Sequence, residues 1–122
     1  MNILFWIAQI LLALIFTSIG AMKLSQPIIK LSENMGWVAD FPSLFVRALG
    51  LFELVVGLLT ILPRMIKILP VNLTIYCSYA IVVVMVGAIG VHIKRGEFSF
   101  LVMNILILGM AAFVIHQAKA LA

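Results

Sequence analysis

The sequence is poor in charge. Only 10% of its 122 residues are Asp, Glu, Lys or Arg, and only four are acidic, whereas soluble domains carry about 25% charged residues. That leaves too little polar surface to cover a globule in water. Cysteine is nearly absent: Cys77 stands alone in an apolar stretch, which excludes an intrachain disulfide, a CxxC pair and a thiol relay within one chain. There is no GxSxG, HExxH, P-loop or Rossmann fingerprint, so the standard catalytic constellations are missing. The eight basic residues give a net charge of +4, but they are scattered at the ends of apolar runs. That pattern suits lipid headgroups and lacks the contiguous basic surface that nucleic acid requires.

What the chain has in quantity is apolar sequence. Hydrophobic residues make up 66% of it, with a mean hydropathy of +1.31. Four runs, at about 3–22, 43–62, 71–91 and 98–118, are each long enough for a membrane span, which needs about 20 residues to cross roughly 30 Å of hydrocarbon. The first lacks a basic leading segment and exceeds the length of a signal-peptide core, so it is read as a retained helix. The expectation is one all-α domain over 1–122, an integral membrane, antiparallel four-helix bundle. Short connections at Pro63 to Pro70 and at His92 to Glu97 make sequential helices antiparallel neighbours. Both termini then share one side of the membrane with the Pro63 to Pro70 loop. The long first loop and the His92 to Glu97 loop share the other, and Lys and Arg counts do not decide the orientation.

The long connection, Lys23 to Pro42, carries Ile28, Leu31, Met35 and Val38 at helical spacing, with Lys30, Glu33 and Asn34 on the opposite side of the wheel. It reads as a short interfacial helix with Trp37 as a headgroup-level anchor; the plain alternative is an ordinary loop.

An ionisable side chain at mid-span persists only if it faces the bundle interior and finds a partner. Glu53 is the strongest such case, on a helix face with Gly50 and Gly57. Gln9, Tyr79 and Asn104 fall within about 5 Å of the same depth by helical rise. Two readings stand. The four residues form a small pocket in which an amide or phenol hydrogen-bonds Glu53, or they form a network that only fixes helix register. Lys23, Arg47 and His92 gather nearer one membrane face, where they line the same cavity or, for Lys23 and Arg47, snorkel to phosphates. His92 and His116 lie at opposite ends of antiparallel spans and cannot share an ion or a haem, so no metal site is expected. Ala13, Thr17 and Ala21, Gly87 and Gly90, and Gly109 and Ala112 read as packing devices.

Several segments carry a resemblance. They are Gly20-Ala21-Met22-Lys23-Leu24, Arg47 with Gly50-Leu51-Phe52-Glu53-Leu54 through Gly57 and Leu62-Pro63, and Gly87-Ala88 followed by His92-Ile93-Lys94-Arg95-Gly96-Glu97. In this order and spacing the chain resembles the DoxX superfamily, in its DoxX-like branch of small four-helix membrane proteins. The resemblance implies the fold firmly and the activity thinly. Some relatives are membrane subunits linked to quinone-dependent sulfur oxidation, and others look like NACHO-type chaperones of multi-helix receptors. Lys23, Arg47, Glu53 and His92 match the family pattern and carry over as functional candidates. The expected role is non-enzymatic, an assembly factor or accessory subunit; the rival is a component of a quinone-linked oxidoreductase. The expected partners are the lipid bilayer and another membrane protein or a second copy of the chain as a homo-oligomer. No resident cofactor is expected beyond a bound quinone or lipid. The resemblance further implies the cell's inner or plasma membrane and cytoplasmic termini.

Overall fold

A computed structural model describes residues 2–66 and 69–121. Each apolar run becomes one long helix, because a chain in lipid must satisfy its backbone polar groups within the segment. These are α1 (Asn2–Ser25), α3 (Ser43–Met65), α4 (Asn72–Arg95) and α5 (Ser99–Leu121). All four are long and apolar enough to cross a membrane. They pack antiparallel in the ring α1, α3, α4, α5, with the α1–α3 seam the most extensive and the α5–α1 seam the least. A core of Phe5, Leu12, Phe16, Val56, Ile81, Ile107 and Val114 fills the centre.

Two spans run further than their apolar patterns. Helix α1 continues to Ser25, so Lys23 lies within it. Helix α4 continues to Arg95, making His92, Lys94 and Arg95 helical. Its end is set by Gly96, whose φ of 74° is left-handed, while Glu97 N–H donates to His92 O and Gly96 N–H to Ile93 O. This paired closure satisfies the last carbonyls, and glycine adopts it without a Cβ penalty. Pro63 falls inside α3 rather than ending it. Of the basic residues expected in the following connection, Lys67 and the side chain of Arg64 lie outside the described residues.

The α1–α3 seam is built backbone to backbone. A Cβ added to Gly20 would stand 2.5 Å from both Gly50 O and Leu54 N, and one on Gly57 would stand 2.8 Å from Thr17 N. Glycine is required there for the two helices to approach, as small residues permit where lipid supplies no hydrophobic drive. Thr17 shares in this contact as expected. Gly87, Gly90 and Gly109 do not: nothing lies within 4 Å of a Cβ on any of them, so they are not packing contacts within this chain.

Between α1 and α3 the connection forms helix α2 (Ile28–Asn34) and a 3₁₀ turn (Gly36–Asp40). Leu31 and Val38 are fully buried against Val46, with Ile28 and Met35 beside them, while Lys30 and Glu33 are exposed. The apolar stripe therefore seats the segment as a cap over one end of the bundle.

Candidate functional site

The two halves of the bundle separate beneath this cap and enclose a cavity of about 460 Å³. Its walls are largely apolar, including Phe16, Phe41, Phe45 and Phe100, and its polar groups are few: Lys23, Glu53, His92, Glu97 and Asn104. Size and lining match those of small-molecule sites, which run to about 300–1,000 Å³ with a handful of placed polar groups.

Glu53 is not held by an amide or a phenol, as expected from depth alone. Lys23 Nζ donates to Glu53 Oε1 at 2.6 Å, and both side chains are nearly inaccessible. Gly50 makes the pairing feasible, because Lys23 Cβ packs where a Cβ of residue 50 would stand. The ammonium also lies 4.9 Å from the ring centroid of Trp37, within cation–π range. Trp37 thus lines the cavity, with an edge contact to Phe41.

At the mouth, His92 Nδ1 lies 3.0 Å from Glu97 Oε1. An ionised carboxylate only accepts, so Nδ1 carries the proton. Phe100 stacks on the His92 ring at 4.9 Å. Arg95 Nε forms an ion pair with the same Glu97 oxygen at 3.2 Å, and Arg95 Nη1 donates to Asp40 on the cap. The chain Asp40, Arg95, Glu97, His92 therefore ties the cap to the α4–α5 turn. The hydrogen bond from His92 holds the Glu97 carboxyl below the usual carboxylate range; burial opposes this, and Arg95 adds to it.

The remaining candidates separate. Arg47 lies outside the cavity lining: its Nη1 donates to Lys23 O at 2.7 Å and Gln26 O at 2.6 Å. It neither lines the cavity nor simply snorkels; it closes the carbonyl end of α1, where orphan acceptors and the helix dipole favour a cation. Gln9 lies toward the other membrane face, where its Nε2 and Thr74 Oγ1 both donate to Thr60 O at 3.0 Å. Thr60 Oγ1 itself donates to Val56 O at 2.8 Å, so this group ties α1, α3 and α4 together through main-chain acceptors of α3. Tyr79 is exposed on the outer face, with Lys119 Nζ 5.4 Å from its ring. The single polar layer thus resolves into a structural clamp around Thr60 and a cavity around Lys23, Glu53 and Asn104. Asn104 is 8% exposed, and its Nδ2 has no hydrogen-bond partner. Sequence reasoning gave no site role to Trp37, Glu97, Arg95 or Asp40. Only the position of Glu97 five residues after His92 was a signal for any of them.

Among the described residues no group of three or more His, Cys, Asp or Glu is placed to hold a metal ion. The sequence profile of the DoxX-like family matches residues 7–114. No curated protein and no solved structure matches the sequence.

Proposed function

The chain belongs to the DoxX-like family, and from that premise we propose that this integral membrane protein binds a small lipophilic molecule between its helices. The carrying observation is the capped cavity of about 460 Å³, largely apolar, with a buried ion pair, an unpartnered amide donor and the His92–Glu97 pair as its polar groups. A pocket so lined suits a molecule with an apolar body and a compact polar head. Lys23, Glu53, His92 and Asn104 would meet the head, and Trp37, Phe41 and Phe100 the body. In this reading the protein serves as an accessory subunit to a partner that uses the ligand; a quinone is one such ligand. Extraction into native lipid discs tests this. Enrichment of one lipophile over the surrounding membrane, lost when the cavity is filled by Ala88→Trp, is the expected result; lipid composition identical to the bulk membrane overturns it.

A second reading, an assembly factor that docks other membrane helices, draws on Gly90 and Gly109. Both are exposed, with open space where a Cβ would stand, as close-approach faces require. A membrane complex that co-purifies with the wild type and is lost in Gly90→Leu supports it; co-purification unchanged by that substitution counts against it.

A further inference from the structure

Building on the reading of the cavity as a ligand site, we infer that it selects an uncharged, ring-bearing lipophile whose head offers a hydrogen-bond acceptor, and rejects ionised amphiphiles of the same length. Three observations carry this.

The first is the unsatisfied donor. Among the described residues, five have a buried side-chain polar atom without a partner, and Asn104 alone of them lines the cavity. A buried N–H left unpaired is unfavourable, so a pocket that keeps one is complete only when an acceptor arrives. A carbonyl or ether oxygen supplies that acceptor; an ammonium, which only donates, does not.

The second is the balance of charge. Every charged group on the cavity wall already has a counterpart, Lys23 with Glu53 and Glu97 with Arg95 and His92. An ionised head would enter a low-dielectric space with no free opposite charge, or would have to break the Lys23–Glu53 pair. A neutral head meets neither penalty. Trp37, Phe41, Phe45 and Phe100 offer it ring faces and edges.

The third is the route. A shallow groove on the outer face between α1 and α5 shares Ile19, Met103 and Ile107 with the cavity wall. It lies on the thinnest seam of the bundle, and Met103 is exposed. The occupant therefore comes from the hydrocarbon phase, where uncharged molecules partition.

The test uses the full chain with Trp6→Phe, which leaves Trp37 as the only tryptophan, in phosphatidylcholine nanodiscs. Quenching of Trp37 is titrated with three probes of equal length, each bearing a bromophenyl ring at one end: a methyl ketone, the isosteric carboxylate and the corresponding ammonium. Concentrations are expressed as mole fraction in the disc. The expected result is saturable quenching by the ketone at about tenfold lower mole fraction than either ion, and loss of about tenfold in ketone affinity in Asn104→Leu, the scale of one hydrogen bond. Equal or tighter binding of the carboxylate or the ammonium overturns the selection while leaving the cavity a ligand site, as does a ketone affinity unchanged by Asn104→Leu. No saturable quenching by any probe overturns the ligand site itself. Comparing three heads on the unsubstituted cavity keeps the selection falsifiable even where Asn104→Leu does not fold.

Discussion

Removing either partner of the Lys23–Glu53 pair should destabilise the bundle far more than removing both. The two side chains are 6% and 4% exposed and meet at 2.6 Å, so neither has water to fall back on. Breaking a buried pair costs about 3–5 kcal/mol, whereas replacing both members with apolar groups of similar volume is often neutral. Lys23→Met strands a short carboxylate near mid-span. Glu53→Leu strands an ammonium on a long stem near the end of α1, and that stem can carry the charge toward the headgroups. Lys23→Met is therefore expected at or above the upper end of that range and Glu53→Leu near the lower end. Glu53→Gln should resemble Glu53→Leu, because an amide accepts a hydrogen bond but does not neutralise Lys23. The double variant Lys23→Met/Glu53→Leu should return to within about 1–2 kcal/mol of the parent, a coupling of several kcal/mol. Equilibrium unfolding in mixed micelles, followed by far-ultraviolet circular dichroism, measures all four. Additive effects in the double variant would refute the pairing, and Glu53→Gln matching the parent would show that the negative charge is not needed.

Gly20→Ala should cost about 1–3 kcal/mol, since its Cβ would stand 2.5 Å from backbone atoms of α3 that have no rotamer to yield. Gly90→Ala, with open space at the same point, should be neutral or slightly stabilising, and equal thermal shifts for the two would sink the distinction. Glu97, whose carboxyl is held low mainly by His92, contributes stability that is complete above the unperturbed carboxylate value of about 4.3 and is lost as pH falls through its lower native value. The stability gap between the parent and Glu97→Gln should hold from neutral pH down to that range and close below it; a gap already closed at about pH 6 is the contrary result. Four crossings place both termini on one side, so in a Cys77→Ser background, single cysteines added at either end should react alike with an impermeant maleimide in sealed vesicles. Reaction of only one end contradicts the topology.

The helices were legible because lipid enforces a single rule, an unbroken apolar run of spanning length, and the cap was legible because Leu31 and Val38 sit seven residues apart on one stripe. Depth and direction within the bundle were not. Gln9 bonds Thr60 O, about two turns along α3 from Glu53, and Tyr79 faces outward beside Lys119, so the four do not share one layer. The partner of Glu53 lies 30 residues away, and finding it requires the Gly20 to Gly50 crossing that only tertiary packing fixes. Arg47 stands out in the sequence as a charged residue near a span end, but its acceptors are main-chain oxygens near the end of α1, which leave no trace in side-chain pattern. The place of Trp37 beside Lys23 on the cavity wall was not legible either, because it depends on the 3₁₀ turn that presents the ring there.

The glycine seam between α1 and α3 divides the molecule mechanically. With backbones in direct contact at Gly20 and Gly57, these two helices have no compressible side-chain layer at those crossings and behave as one stiff plate, to which the cap is covalently joined at both ends. Helices α4 and α5 form the opposing plate, and across the remaining seams the contact runs through side chains such as Met85, Met103 and Ile107 that can change rotamer. Room for a larger or smaller guest must therefore come from the second plate swinging against the first. The Asp40–Arg95 contact bridges the two plates at the mouth and would register that swing as a clasp does the opening of a locket.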